Sequence, residues 1–86
     1  MAEARILLWN RSFGYQMITL RAPHEVIGAQ VISWIANIYG LEPTCIQLSR
    51  NRTLSHQGVE MYNRNIVNVN DMIFPQDFLQ WQVFDA

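Results

Sequence analysis

The spacing of apolar residues changes at Pro23. Over residues 16–22, apolar and polar residues alternate, as they do in a strand with one buried face. After Pro23, apolar residues recur at every third or fourth position, as they do in an amphipathic helix. We predict a helix over residues 24–39, ended by Gly40 as a left-handed cap. The predicted inward residues are Ile18, Leu20 and Ala22 in the strand, and Ile27, Val31, Trp34, Ile35 and Ile38 in the helix.

An apolar run at residues 5–9 precedes the first strong turn signal. Because turn-forming residues that include Gly14 separate this run from the alternating segment, the two segments predict a β-hairpin. The register of the first strand stays open, since a shift of one residue exchanges its two faces. Its inward pair is either Ile6 and Leu8 or Leu7 and Trp9.

Two later segments also have the alternation of strands, namely residues 44–49 and residues 78–84. A turn at residues 75–77 precedes the last strand. Between the two strands, residues 50–68 have no sustained period, and we predict a loop with one short strand there. The inward residues of the two strands are Ile46 and Leu48 in the first, and Leu79, Trp81 and Val83 in the second.

Length and composition predict one domain over residues 1–86, since the chain is short and half of its residues are hydrophobic. Only 15% of the residues are charged, and the formal net charge is −1, so nucleic-acid binding is not favoured. The single cysteine cannot form an internal disulfide, no secretory signal is recognisable, and no apolar run is long enough for a membrane span. We therefore expect a cytoplasmic or nuclear protein.

The chain has few residues for catalysis. Cys45 with His24 or His56 is the one candidate thiolate pair, but a lone cysteine in a strand usually packs as a small hydrophobic residue. Neither histidine has further metal ligands at a recognised spacing, and no phosphate-binding loop or nucleophile motif is present. We predict a protein that is not an enzyme and that holds no metal or cofactor.

The order hairpin, helix, strand, irregular segment, strand is that of the β-grasp fold. The chain resembles ubiquitin and ubiquitin-like domains, a likeness that spans nearly its whole length. The residues that carry it are Gly14 in the hairpin, Pro23 before the helix, Gly40-Leu41-Glu42-Pro43 after it, and Val69-Asn70-Asp71-Met72-Ile73-Phe74 before the last strand. The resemblance implies an α+β fold with a mixed sheet of four to five strands packed on one central helix.

Three features depart from the ubiquitin pattern. Conjugated family members end in Gly-Gly, whereas this chain ends in Val83-Phe84-Asp85-Ala86, so we expect noncovalent binding. The segment at residues 50–68 is longer than its counterpart, and insertions in surface loops commonly carry new binding specificity. The positions that match ubiquitin's apolar surface patch hold only polar residues, namely Gln47, Ser49, Gln80 and Gln82.

Two surfaces are candidates for binding a partner. The first is the long segment, with Arg50, Arg52, Tyr62 and Arg64, where the arginines suit an acidic partner or else form a solvated hairpin tip. The second is the predicted outward face of the helix, with Ala29, Ile32, Ser33 and Ala36. This face is weakly charged and would let a second copy approach, or else it is an ordinary surface. Four aromatic residues outside the core pattern are further candidate anchors: Trp9, Tyr15, Tyr62 and Phe84.

These observations predict a ubiquitin-like interaction module that binds protein partners noncovalently, as an adaptor or competitor. All six basic residues are arginine and lysine is absent, which suggests a protein that works near ubiquitination enzymes without being modified. One alternative is an accessory subunit of a larger enzyme complex. A third is a weak nucleic-acid-binding domain that uses Arg50, Arg52 and Arg64.

Overall fold

The computed structural model describes residues 1–56 and 59–84, and for residues 51–56 and 59–65 it describes the backbone alone. Within these residues the chain forms five strands, one α-helix and a short 3₁₀ turn. Their bounds are β1 Ala2–Asn10, β2 Gly14–Ala22, α1 Gly28–Tyr39, the 3₁₀ turn Pro43–Cys45, β3 Ile46–His56, β4 Val59–Val67 and β5 Phe78–Val83.

The five strands form one mixed sheet in the order β2-β1-β5-β3-β4. The central strands β1 and β5 are parallel, and the other neighbours are antiparallel. Since α1 connects β2 to β3, the hairpin β1–β2 comes first and the helix follows it. The predicted α+β β-grasp fold is confirmed.

The core lies between α1 and one face of the sheet. In β1, Ile6 and Leu8 are buried and Leu7 and Trp9 are only half-buried, which settles the register that the sequence left open. The predicted inward residues of β2 are buried or packed against the core. Beyond the helix, the buried apolar residues are Ala4, Ile6, Leu8, Ile18, Ala22, Val26, Ile46, Leu48, Val67, Ile73, Leu79 and Trp81.

The helix begins at Gly28, four residues later than predicted. Residues 24–27 are not helical, and Ile27 forms an isolated bridge with Met72. No side chain caps the helix N-terminus. The N–H of Gly28 instead donates to the Asp71 carbonyl oxygen at 2.9 Å, and the N–H of Ala29 donates to that of Val69 at 2.9 Å. Distant backbone therefore satisfies two of the N–H groups that every helix start leaves free.

The predicted faces of the helix are partly correct: Val31 and Ile35 are buried and Trp34 packs against the core, but the helix is rotated from the prediction at three other positions. Ile32 and Ala36, expected to face outward, are 7% and 8% exposed, whereas Ile38, expected in the core, is 56% exposed. Gly28 packs directly against the backbone of Asn68, and this contact turns the row of positions related to Gly28 inward. That row consists of Gly28, Val31, Ile32, Ile35 and Ala36.

The segment predicted as a loop is a long β-hairpin. β3 continues to His56, and β4 pairs with it in unbroken register from Leu48 opposite Val67 to His56 opposite Val59. The last pair between β3 and β5 is Arg50 with Leu79. Beyond it, β3 and β4 form a two-stranded ribbon that projects past the rest of the sheet. Clear alternation of apolar residues arises where one face packs on a core, and the ribbon lacks that pattern.

Smaller differences concern the ends of elements. Gly40 has the predicted left-handed conformation, with φ of 66°, and the turn before β5 is present, with Gln76 at φ of 66°. Cys45 lies in the 3₁₀ turn and is half-buried, whereas the sequence placed it in a strand. Val83, predicted to be buried, is exposed because it lies at the end of β5.

The close approach of Gly28 to Asn68 generates a prediction. A Cβ atom at position 28 would overlap the Asn68 carbonyl oxygen, so Gly28→Ala should lower the free energy of unfolding by about 1–3 kcal/mol. Helix propensity alone would raise it by up to about 1 kcal/mol. Urea unfolding measures the difference, with Ser33→Ala on the exposed side of the same helix as control. A stabilised Gly28→Ala variant would contradict the packing.

Candidate protein-interaction surfaces

The face of the sheet opposite α1 carries an exposed apolar patch. Because alternate residues of a strand point to opposite faces, the outward positions of β1, β2 and β5 are those between the buried ones. Five apolar residues occupy neighbouring outward positions, and we call them the outer-face patch: Leu7, Trp9, Tyr15, Met17 and Phe78. Tyr15 is 67% exposed, Met17 60% and Phe78 37%, while Leu7 and Trp9 are half-buried.

The register holds the patch together. Leu7 lies opposite Met17 on β2 and opposite Phe78 on β5, and Trp9 lies opposite Tyr15. The Tyr15 ring is 6.4 Å from that of Trp9, at an interplanar angle of 53°, and 6.0 Å from that of Phe78, edge to face at 76°. Because these rings contact one another, their side-chain torsions are already restricted. A partner that covers them therefore loses little further side-chain entropy on binding.

A second aromatic cluster fixes the turn between β1 and β2. The Phe13 ring lies 4.3 Å from that of Tyr39 at the end of α1 and 5.8 Å from the buried Trp81 ring. Asn10 donates through Nδ2 to the Trp81 carbonyl oxygen at 2.9 Å. Its Oδ1 accepts the N–H groups of Ser12 and Phe13. The end of the hairpin beside the outer-face patch is therefore held in place.

Two strands, β2 and β4, form the edges of the sheet. Each has nine residues, pairs with its single neighbour without a bulge, and contains no proline. One end of β2 is covered, since Gln30 Nε2 donates to the Arg21 carbonyl oxygen at 2.9 Å. Natural edge strands are usually protected by charge, proline, bulges or short length. Both edges carry charge, Arg21 in β2 and Glu60 and Arg64 in β4, but they lack proline, bulges and short length.

Arg50 binds inside the chain. Its Nε and Nη2 donate to the two Asp77 carboxylate oxygens at 2.9 and 2.8 Å, and Nη2 also donates to the Met72 carbonyl oxygen at 3.2 Å. The guanidinium lies 5.6 Å from the Phe74 ring centroid. The side chains of Arg50 and Asp77 are 15% and 12% exposed. The predicted solvated position is therefore wrong for Arg50, which fastens residues 72–77 to β3.

The other candidates in the long segment lie in the ribbon. Arg52 pairs with Asn63, Thr53 with Tyr62, and Asn51 with Arg64, all by their backbones. The side chains of Arg52, Tyr62 and Arg64 are outside the described part of the chain, so their contact with a partner stays a prediction. Because Arg50 is ion-paired with Asp77, it is not available to bind phosphates. This leaves two of the three arginines that the nucleic-acid alternative would use.

The predicted binding face of the helix is not formed as expected. Ile32 and Ala36 belong to the core, Ala29 is half-buried, and Ser33 is exposed. The two residues that gave this face its apolar area for a homodimer are therefore turned toward the sheet. The rotation set at Gly28 accounts for the difference.

The positions that match ubiquitin's patch are polar, and two of them bind each other. Gln82 Nε2 donates to Gln47 Oε1 at 2.9 Å, and Ser49 is buried. The apolar area of this face lies instead on β1, β2 and the start of β5. The sequence indicated Trp9 and Tyr15 as exposed anchors. Met17 and Phe78 were missed, although each is an apolar residue beside a predicted inward one.

Titratable groups form no catalytic arrangement in the described residues. Cys45 is half-buried and His24 is exposed, while the His56 side chain is outside the described part. No three His, Cys, Asp or Glu side chains within the described part are grouped so as to hold a metal ion. None of its helices is long and apolar enough to cross a membrane.

Comparison with known proteins supports the fold. No protein-family model matches the chain, and no curated protein matches it in sequence. A computationally designed protein based on human erythrocytic ubiquitin is similar in structure, with a TM-score of 0.55, 18% identity, and coverage of 96% of this chain and 94% of the other. A mutant of a SOSEKI polymerising domain is similar with a TM-score of 0.65, 15% identity, and coverage of 99% and 98%. The fold is ubiquitin-like.

The role of Arg50 predicts a stability effect. Arg50→Lys keeps the charge but loses the planar fork that binds both oxygens of Asp77, so the free energy of unfolding should fall by about 1.5–3 kcal/mol. Denaturant unfolding measures it. Arg11→Lys, at an exposed position, is the matched control and should change stability by less than about 0.5 kcal/mol. Equal effects of the two substitutions would show that the Asp77 contact contributes little.

Proposed function

We propose that this ubiquitin-like β-grasp domain is a noncovalent protein-interaction module, and that one of its partners is a second copy of itself, bound edge to edge. The observation that carries the proposal is the pair of nine-residue edge strands, β2 and β4, with unbroken register and no proline. A bare edge presents N–H and C=O groups that an added strand can pair with.

Two arrangements of identical copies would pair these edges. If β2 pairs with β2, the contact is two-fold symmetric and stops at a dimer. If β2 of one copy pairs with β4 of the next, each copy keeps one free edge and assembly continues as an open chain. The equal lengths of β2 and β4 suit the second arrangement, but β2 paired with β2 also matches nine residues with nine, so experiment must separate the two.

The similar SOSEKI structure is described as a polymerising domain. At 15% identity this likeness carries the fold only. Self-association of the present chain is therefore inferred from its own edges, and the neighbour supports the view that this fold accommodates it. The outer-face patch, which edge pairing would leave free, supports a second role as an adaptor or competitor for a different protein.

Edge pairing predicts self-association that depends on β2. Lysine on an edge strand opposes the addition of another strand, so Thr19→Lys, at an exposed position of β2 outside the outer-face patch, should leave the protein monomeric. The wild type should increase in sedimentation coefficient with concentration. The control, Ser33→Lys, adds the same charge to an exposed position of the helix and should behave as the wild type does.

A mixing experiment separates the two arrangements. Ile66→Lys places a lysine at an exposed position of β4, the other edge strand. In the open-chain arrangement each variant alone is monomeric, and a mixture of the β2 and β4 variants forms a heterodimer through the two intact edges. In the two-fold arrangement the β4 variant still dimerises by itself. A wild type that stays monomeric at every concentration would overturn self-association.

A further inference from the structure

We infer that the outer-face patch is a docking surface for an acidic, apolar segment of a different protein. This inference rests on the proposal that the domain binds proteins, and it does not require the sheet edges to pair. Its grounds are the apolar patch, the free arginines beside it and the tilted arrangement of its rings.

Free arginines lie at both ends of the patch. Arg5 is exposed and outward on β1, next to Leu7 in the alternation of the strand. Arg11 lies past the end of β1 and lines a surface pocket together with Trp9 and Gln80. Within the described residues neither arginine makes an ion pair. The patch is thus flanked by two guanidinium groups that are available to carboxylates of a partner.

The charge around the patch differs in sign from that of the chain. The formal net charge is −1, yet the hairpin of residues 2–22 has three arginines and a single carboxylate, Glu3, which pairs with Arg21 at 2.8 Å. β5 has no charged residue. Two copies meeting through this face would bring like charges together, which opposes association. Charge complementarity therefore favours an acidic partner over a second copy.

The ring geometry favours apolar side chains over nucleic-acid bases. Proteins that bind single strands stack successive bases on exposed aromatic faces. Here the rings of Tyr15 and Trp9 meet at 53°, and those of Tyr15 and Phe78 at 76°, so they form no flat platform. Leu7 and Met17 fill the remaining area. Tilted rings between aliphatic side chains make an uneven apolar surface that suits Leu, Ile or Phe anchors of a peptide.

Selection from a phage-displayed library of random peptides on the immobilised full chain tests the inference. The enriched peptides should contain apolar anchors flanked by Asp or Glu. A selected peptide should bind Tyr15→Ala and Phe78→Ala about tenfold or more weakly than the wild type. Ile38→Ala removes an apolar side chain from the helix whose exposure lies between those of Phe78 and Tyr15, and it should leave the affinity unchanged.

Charge reversal tests the arginines separately. Arg5→Glu and Arg11→Glu should weaken binding of the selected peptide and reduce its dependence on salt. Enrichment of basic or uncharged peptides, equal binding by Tyr15→Ala, or no enrichment at all would each overturn the inference. Displacement of the peptide by single-stranded oligouridylate would overturn it in favour of nucleic acid. The oligomeric state of the edge variants tests self-association and not peptide binding. Either proposal can therefore fail without the other.

Discussion

The coverage of a five-stranded sheet by a single helix determines which surfaces this domain has available. Five strands span about 19 Å from the first to the last, at about 4.8 Å per spacing, whereas a helix with its side chains is about 10–12 Å wide. The twelve-residue helix α1 therefore covers the middle of one face. Within the part of the chain that the structure describes, no further layer covers the opposite face, and of the two edges Gln30 covers the Arg21 end of β2. A partner can add a layer at the places left open.

Residues that are distant in sequence determine where the helix lies. Backbone groups of residues 68–73 satisfy its first N–H groups and bridge the segment before it, while Arg50 fastens the following residues to β3 through Asp77. The segment between β4 and β5 thus joins the helix start to the sheet. This connection accounts for the helix start at Gly28 and for the rotation that buries Ile32 and Ala36.

The sequence predicts the elements that have one face on the core. Alternation identifies β2 and β5, and the Gly40 cap identifies the end of the helix. The helix rotation is not predictable, because the contact that sets it joins Gly28 to Asn68, far apart in sequence. The partner of Arg50 lies 27 residues away and is equally hidden. The β3–β4 ribbon was missed because its pairing is not accompanied by apolar alternation.

Part of the outer-face patch can be predicted from the sequence. Trp9 and Tyr15 are aromatic residues outside the core pattern, and the sequence indicated both. Met17 and Phe78 each lie next to an inward residue in a predicted strand, so alternation already places them on the outer face. Met17 joins Trp9 and Tyr15 through the local β1–β2 hairpin. The proximity of Phe78, however, depends on the pairing of β1 with β5 across 71 positions of sequence, from Leu7 to Phe78, and local patterns contain no sign of it.

Hydrogen–deuterium exchange at increasing protein concentration tests edge pairing, because it measures the protection of the backbone N–H groups that an added strand would occupy. We expect amides in β2 and in β4 to become more protected as concentration rises, while amides of exposed residues outside the helix and strands, such as His24 and Glu25, do not change. If the exchange rates of the β2 and β4 amides do not change with concentration, this protein does not bind its own copies through the sheet edges.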